Sequence, residues 1–223
     1  MAKVAILIDG AFYQIRARSL KGDLSPEERA KELISYCYSH LSDKNEGADD
    51  LYRIFYYGCP PAGKKVRHPL TQQDVDLSQT PQYAWGNEFI KQMTKQRKVA
   101  LRLGRLSEES AGYILSEKIV KKLCGGTVKF KDLKESDFEF NIKQKGVDMK
   151  IGVDIASLAY KRQVDKIILI AGDSDFVPAS KLARREGIDF VLDPMWNNIN
   201  PDLHEHIDGL KSCWPNPVKQ KSR

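Results

Sequence analysis

The sequence predicts an α/β fold in which helices cover both faces of a mainly parallel central sheet. Short apolar runs alternate along the chain with segments of helical spacing, which is the order that β-α-β units produce. Two runs, residues 4–8 and 167–171, are apolar throughout, as strands buried on both faces are. Three further strands are predicted at residues 51–57, 99–106 and 188–192.

Capping residues predict where the helices begin and end. Ser25 is suited to the N-cap of a helix whose first turn contains Glu27 and Glu28, because a hydroxyl accepts from free backbone N–H groups and carboxylates favour the positive end of the helix dipole. Gly187 is suited to end another helix, since glycine readily adopts the left-handed conformation that follows a last turn. The predicted helices are residues 26–41, 84–97, 147–162, 176–186 and 203–211, with 113–123 as a further candidate.

Residues 1–213 are predicted to form one domain. Residues 58–82, with four prolines, are expected to be a long irregular loop, and such loops are usually either functional or disordered. Residues 214–223 contain two prolines and several basic residues, so we expect a flexible basic tail.

The overall composition argues against several classes of protein. No stretch approaches the ~20 apolar residues of a membrane-spanning helix, and residues 1–8 lead directly into an acidic turn, unlike a signal peptide. Four cysteines without a CxxC pair indicate reduced thiols in the cytoplasm rather than disulfides or a zinc site. The net charge of +6 suits a polyanionic partner but is common in proteins that have none.

Aspartates follow the predicted strands at the edge where open parallel sheets bind ligands. Asp9 comes directly after the first strand, and Asp173 and Asp175 follow the fourth. Asp148 lies in the first turn of the helix that precedes that fourth strand. A single aspartate after a strand is usually a turn or cap residue, but the joint pattern predicts that these four carboxylates meet at one edge.

Clustered carboxylates need a counter-ion. Oxygen ligands suit the hard cations Mg²⁺ and Mn²⁺, and Mg²⁺ uses only a few carboxylates together with water and phosphate. One or two such ions can activate a water molecule and stabilise the leaving oxygen when a phosphodiester is cleaved. We therefore expect Asp9, Asp148, Asp173 and Asp175 to bind the metal and to act in catalysis.

Asp154 is a fifth candidate metal ligand. It lies six residues after Asp148, so the two side chains point about 120° apart on one helix and cannot both face one point squarely. Asp154 then either supports the direct ligands, lies at the edge of the metal site, or caps or pairs elsewhere. Asp193 fits a turn, whereas Asp165 and Asp189 begin strands at the wrong end of the sheet.

Basic and aromatic side chains supply candidates for contacts with a nucleic acid. Lys143 and Lys145 precede Asp148 and are predicted to contact phosphates, and Ser174 is a third substrate-binding candidate. Each basic residue taken alone is more simply a solvated surface group. At least one of the two tyrosines in the second strand is expected to be packed in the sheet. The wider sets are Lys64, Lys65, Arg67, Arg102 and Arg105 for the phosphate backbone, and Tyr56, Tyr57, Tyr83, Trp85 and Trp196 for stacking on bases.

Three segments resemble the NYN domain, in particular its LabA-like branch within the PIN-like nuclease superfamily. They are residues 5–10 (Ala-Ile-Leu-Ile-Asp-Gly), 143–154 (Lys-Gln-Lys-Gly-Val-Asp-Met-Lys-Ile-Gly-Val-Asp) and 168–178 (Ile-Leu-Ile-Ala-Gly-Asp-Ser-Asp-Phe-Val-Pro). The Gly-Val-Asp and Gly-Asp-Ser-Asp-Phe motifs, in this order and at this separation, are specific. The resemblance covers residues 3 to about 193, nearly the whole chain.

The resemblance implies a single PIN-like, Rossmann-like domain with strand order 3-2-1-4-5, an acidic metal site and RNA as the substrate. Many members have Asn three residues after the first Asp, whereas this chain has Phe12, a difference that bears on substrate choice more than on metal binding. The acidic positions of the family match Asp9, Asp148, Asp173 and Asp175, with Asp154 at a further acidic position.

Together these features predict a cytoplasmic, metal-dependent endoribonuclease that hydrolyses single-stranded RNA with Mg²⁺ or Mn²⁺. The alternative is an RNA-binding or regulatory module of the same fold with little catalytic activity. The intact carboxylate set favours the nuclease, because a binding module would gain nothing from anions clustered beside a polyanion. A phosphatase of the haloacid dehalogenase type ranks low, since it needs Asp-x-Asp after the first strand and this chain has Ala11 there.

Overall fold

A computed structural model gives the structure of residues 1–43 and 47–217. The strands in these ranges are β1 (Lys3–Asp9), β2 (Ser42–Asp43), β3 (Gly47–Ala48), β4 (Asp50–Gly58), β5 (Lys65–Arg67), β6 (Asp74–Asp76), β7 (Val99–Leu103), β8 (Arg105–Leu106), β9 (Gly112–Leu115), β10 (Phe138–Asn141), β11 (Gln144–Lys145), β12 (Lys166–Ile170), β13 (Asp189–Asp193) and β14 (Gly209–Leu210). The helices are α1 (Gly10–Lys21), α2 (Pro26–His40), α3 (Pro81–Thr94), α4 (Glu117–Cys124), α5 (Val147–Tyr160), α6 (Val177–Arg185) and α7 (Pro201–Glu205).

Six strands form one parallel sheet in the order β14-β13-β12-β1-β4-β7. The five strands that the sequence predicts therefore follow the order 3-2-1-4-5, which confirms the predicted fold class, and the short β14 extends one side. In register, Asp9 lies beside Tyr57 and Ile170 beside Asp193. Because all six strands run the same way, their carboxyl ends form a single edge, where the predicted aspartates are found.

Each face of the sheet buries its own apolar cluster. On one face, Leu7 and Leu169 pack with the inner sides of α5 and α6, including Ile151 and Ile155. On the other face, Ile6 and Ile8 pack against α1, α2 and α3. Successive residues of a strand point to opposite faces, which is why uninterrupted apolar runs were required for β1 and β12. Helices on both faces are thus confirmed.

The predicted caps form where the sequence places them. Ser25 Oγ accepts from Glu28 N, and the Glu28 carboxylate accepts in return from Ser25 N, which makes a capping box at the start of α2. After α6, Gly187 has a φ of +87°, the left-handed region that glycine enters without steric cost. The strands and most helices agree with prediction to within a few residues.

Two helix predictions need correction, and one helix was missed. Helix α1 was not predicted, because its buried side consists only of Gly10, Tyr13 and Ala17 and shows little apolar periodicity. The helix expected at residues 203–211 is shorter, since α7 ends at Glu205 and β14 then pairs with β13. The helix expected at residues 113–123 is instead strand β9 followed by α4.

The segment at residues 58–82 is ordered by local pairing rather than irregular throughout. It contains the hairpin β5–β6, and the ring of His68 from that hairpin lies 4.6 Å from Tyr113 and 5.0 Å from Phe138. The hairpin therefore packs against the β9–β10 pair. No described helix is both long and apolar enough to cross a lipid bilayer.

The proposed domain boundary after residue 213 remains a prediction. The Trp214 ring lies 4.4 Å from Tyr36 on α2, so the chain still contacts the domain at this point. Residues 218–223, which make up most of the predicted basic tail, lie outside the described residues.

Candidate metal centre

Asp9 ends β1 and begins α1. Its Oδ1 accepts from Ala11 N at 3.0 Å and from Phe12 N at 3.2 Å, so the carboxylate is the N-cap of the helix. Gly10 allows α1 to approach β4 closely, because a Cβ there would lie 2.4 Å from Tyr57 O. This approach fixes the half-buried Asp9 at the carboxyl edge of the sheet.

Asp173 and Asp175 follow β12 in a tight turn. Asp173 Oδ1 accepts from Asp175 N at 3.1 Å and caps a short 3₁₀ turn at Ser174–Phe176. Phe176 is buried beneath the turn, while both aspartates are exposed and Ser174 is half-buried. The turn thus presents two carboxylates to solvent from an anchored backbone.

Asp148 joins these residues from α5. Gly146 has a φ of +79° and turns the chain sharply into the helix, whose first turn contains Asp148. Burial, followed by the charges of Asp173 and Asp175, raises the pKa of Asp148 above its ordinary value. Asp148 therefore lies within electrostatic range of Asp173 and Asp175.

The pKa of Asp9 is also raised above its ordinary value. Burial raises its pKa most, the N–H groups of Phe12 and Ala11 oppose that shift, and the charges of Asp148 and Asp173 add to it. Asp148 and Asp173 thus act on Asp9, and Asp173 and Asp175 act on Asp148, and such a group of like charges favours a cation.

The aspartates are nevertheless spaced more widely than a closed metal cage. Among the described residues, the one group of three ligand side chains with all ligand atoms within 4.8 Å is Asp202, Glu205 and His206. Asp202 and Glu205 lie on the short helix α7, and His206 directly follows it. Asp202 Oδ1 and His206 Nε2 lie 3.5 Å apart as an i,i+4 pair. The argument against zinc from the absence of a CxxC pair did not consider this trio.

Asp154 is not brought to the other four aspartates. Its Oδ2 accepts from the Tyr57 hydroxyl at 2.8 Å and from Arg102 Nε at 2.9 Å. It lines a depression with Arg53 and Lys161, toward the amino-terminal edge of the sheet. Of the alternatives left open by its position on the helix, pairing elsewhere is the one observed.

A second depression adjoins the aspartates on the side of α1 and has a volume of about 430 Å³. Phe12 forms part of its wall and lies so close to Gly172 that a Cβ on Gly172 would be 2.5 Å from the ring. Sequence reasoning missed its two amide residues, since neither follows a strand directly or belongs to a motif. The depression is lined by Asp9, Phe12, Gly172, Asp173, Ser174, Asn197 and Asn200.

Several of the basic side chains predicted to contact phosphates already have partners within the protein. Lys64 Nζ donates to Glu108 O at 2.6 Å, Lys65 and Arg67 face Asp76 and Asp74 across their own hairpin, and Arg102 pairs with Asp154. By contrast, Lys143 and Lys145 are exposed, and their side chains have no ion pair or hydrogen bond to any described residue.

Stacking on bases is excluded for the two strand tyrosines. Tyr56 and Tyr57 are 5 % and 0 % exposed and belong to opposite core clusters, because neighbouring residues of a central strand point to opposite helical layers. Trp85 stacks on Phe89 and donates to Leu24 O. Trp196 keeps 40 % exposure.

Asp193 does more than form a turn. It is fully buried, and its carboxylate accepts from His40 Nε2, Met195 N and Ser212 Oγ at 2.7–2.9 Å, and also from the Tyr36 hydroxyl. These contacts connect α2, β13 and the C-terminal segment. Asp193 therefore stabilises the fold and does not belong to the aspartate group.

Comparison with known proteins finds a matching family model. No curated protein matches the chain. A solved structure of a protein of unknown function from Vibrio parahaemolyticus RIMD 2210633 is similar at 14 % identity and a TM-score of 0.45, with 94 % of this chain and 91 % of that chain covered. The family model of the NYN domain matches residues 87–200, which include Asp148, Asp173 and Asp175. The chain therefore belongs to the NYN domain family, whose PIN-like fold is generally that of nucleases that act on RNA.

Proposed function

We propose that the protein is a metal-dependent endoribonuclease of the LabA-like branch, which hydrolyses phosphodiester bonds of single-stranded RNA in the cytoplasm. The observation that carries this proposal is the position of Asp9, Asp148, Asp173 and Asp175 at the carboxyl edge of the sheet, where burial and then neighbouring aspartate charges raise the pKa of Asp9 and of Asp148. Carboxylates gathered at one edge favour a cation, and they repel a polyanionic substrate unless a cation is bound. The four free cysteines support a reducing compartment.

The donor set fits Mg²⁺ or Mn²⁺. All four groups are carboxylates, which are the ligands preferred by hard cations. No three of them place ligand oxygens within 4.8 Å of one another, so the set suits an ion that keeps several waters and takes further ligands from a phosphate. A divalent cation held there would lower the pKa of a bound water and stabilise the leaving oxygen.

The remaining residues would bind and orient the substrate. Lys143 and Lys145 are exposed and unpaired with any described residue, which suits contacts to phosphates that carry no sequence information. Ser174 lies between two aspartates and lines the neighbouring depression, where its hydroxyl is placed to hydrogen-bond to a phosphate or ribose.

The direct test is incubation of the purified protein with labelled single-stranded RNA in the presence of Mn²⁺ or Mg²⁺. We expect internal cleavage that a chelator abolishes and that added metal restores. RNA left intact across Mg²⁺, Mn²⁺ and Co²⁺ would rule out the nuclease.

The wide spacing of the aspartates favours one second candidate, an RNA-binding or regulatory module with little activity. Such a module would bind RNA equally well with a chelator or with metal, because the aspartates would have no part in binding. A nuclease should instead bind RNA more tightly with a metal that offsets the four negative charges. Affinity for an uncleavable deoxy-substituted oligonucleotide, measured with Ca²⁺ and with chelator, distinguishes the two.

A further inference from the structure

Three unpaired cations cluster on one side of the aspartates. Arg105 on β8 lies directly opposite Lys145 on β11 in an antiparallel pair, and Lys150 follows in the first turns of α5. All three are exposed, and none has an ion pair or a side-chain hydrogen bond to a described residue. Like charges directly opposite on paired strands are destabilising, so this arrangement favours an external anion.

The three cations line two adjoining depressions of about 390 and 490 Å³. The walls are brought together at Gly104, where a Cβ would lie 2.7 Å from Lys145 O. A side chain at position 104 would push β11 away from β8 and separate Arg105 from Lys145. The depressions therefore depend on a backbone approach that only glycine permits.

These depressions begin beside Asp148. The position of a Cβ on Gly104 is 3.0 Å from a methyl of Val147 and 3.3 Å from Cys59 Sγ. Gly146 also lines the smaller depression, and Val147 and Asp148 follow it directly in the first turn of α5. An anionic chain that extends from the aspartates on this side would contact the cations directly next to the aspartates.

The other side of the aspartates differs in charge. The depression beside Asp9 and Asp173 has no cation in its wall and offers the amides of Asn197 and Asn200 instead. On the cationic side, Glu108 and Glu109 line the far end of the larger depression. Because these carboxylates repel phosphates, the cationic stretch is short.

We propose that Arg105, Lys145 and Lys150 bind the phosphates of the RNA strand on one flank of the scissile phosphate, while the other flank is held without cations. This inference rests on the proposed nuclease function, and it adds that cations contact the substrate on one side of the scissile phosphate and not on the other. The cations contact the backbone and not base edges, so they add affinity without sequence preference.

Binding with chelator present tests the contact without any cleavage. The variant Arg105→Gln/Lys150→Gln should bind a single-stranded oligonucleotide more weakly, with the slope of log K against log salt reduced by about 0.7 per removed cation, or about 1.4 for the pair. The matched control is Arg53→Gln/Lys161→Gln, which removes two exposed cations unpaired with any described residue at the opposite edge of the sheet. Its slope should equal that of the wild type. Equal slopes for both variants would overturn the proposal.

Cleavage of substrates with a single neutral methylphosphonate tests the asymmetry. The neutral linkage is placed at successive positions along the strand. Cleavage by the wild type should be slower when the linkage occupies the first few positions on one flank of the cleavage site, and unchanged when it lies on the other flank. In Arg105→Gln/Lys150→Gln this position dependence should weaken, because two of the three cations that contact those phosphates are gone. Equal slowing on both flanks, or position dependence unchanged in the variant, would contradict the proposal.

The two experiments separate failure of this inference from failure of the proposed function. If the wild type does not cleave RNA but the salt slope of Arg105→Gln/Lys150→Gln is reduced, the nuclease is refuted and the cationic contact is supported by binding. If the wild type cleaves RNA but the slope of this variant equals that of the wild type, the contact is refuted and the nuclease stands. Thermal melts check both variants, which should melt no lower than the wild type, since the replaced side chains are exposed and lack described partners and loss of Arg105 removes a like-charge contact with Lys145.

Discussion

Asp154 and Arg102 form an ion pair with 2.9 Å between Oδ2 and Nε. The Tyr57 hydroxyl donates to the same oxygen at 2.8 Å, and the Arg102 guanidinium also lies 5.3 Å from the centre of the Phe55 ring. These contacts connect α5 to β4 and β7 across one face of the sheet. Among the five candidate aspartates, Asp154 is thus the one with an ion pair to a described cation of the protein.

We predict that Asp154→Asn retains metal-dependent cleavage and loses stability. The substitution removes the charge that Arg102 and Tyr57 contact. Because a hydrogen bond to a charged group is worth a few kcal/mol and Arg102 is partly exposed to solvent, the free energy of unfolding should fall by about 1 to 2 kcal/mol. Urea denaturation and an RNA cleavage assay measure the two effects. Unchanged stability with lost activity would place Asp154 at the metal instead.

Asp148→Asn should have the opposite effect on stability. Its pKa is raised in the folded protein, so the folded state binds the proton more tightly, and that contribution stabilises at low pH and is lost as pH rises through the folded pKa. At neutral pH with chelator, the variant should therefore melt at a higher temperature than the wild type. The difference should narrow as pH falls toward about 4, the ordinary range for a carboxyl.

The same variant should respond less to metal. An ion that binds only the folded state raises the melting temperature, and Asp148→Asn removes part of the charge that attracts it. We expect the shift produced by Mn²⁺ to shrink in Asp148→Asn and to remain in Asp154→Asn. Equal shifts in both variants would refute the distinction between the two aspartates.

Phe12 and Gly172 should be coupled energetically. Gly172→Ala places a Cβ against the Phe12 ring and should lower the free energy of unfolding by about 1 to 3 kcal/mol through overpacking. In a Phe12→Ala background the same change should cost much less. A double-mutant cycle measures this coupling, and additive effects would show that the loop after β12 moves away freely.

The sheet was predictable because its strands are buried on both sides. In β1 and β12 the apolar runs leave no alternative to burial, so both strands and their order agree with expectation. The aspartates were predictable for a related reason, since each follows a strand or begins a helix at the same edge. Periodicity and position within an element were enough for these features.

Other features depend on contacts distant in sequence. Helix α1 buries few apolar residues and is held by the close approach of Gly10 to β4, which no local pattern reveals. The burial of Asp193 results from partners on α2 and in the C-terminal segment. Likewise, the division between paired and unpaired cations depends on which carboxylates face them across hairpins.

Metal-dependent cleavage by Asp173→Asn and His206→Gln, assayed in parallel with the wild type, tests the central claim most directly. Asn keeps the size and the capping capacity of Asp173 but loses the charge, whereas His206 belongs to the one compact group of three ligands among the described residues. We predict that Asp173→Asn retains the fold and loses RNA cleavage across a Mn²⁺ titration, while His206→Gln cleaves like the wild type. Near-normal cleavage by Asp173→Asn together with loss of cleavage in His206→Gln would contradict the aspartate site.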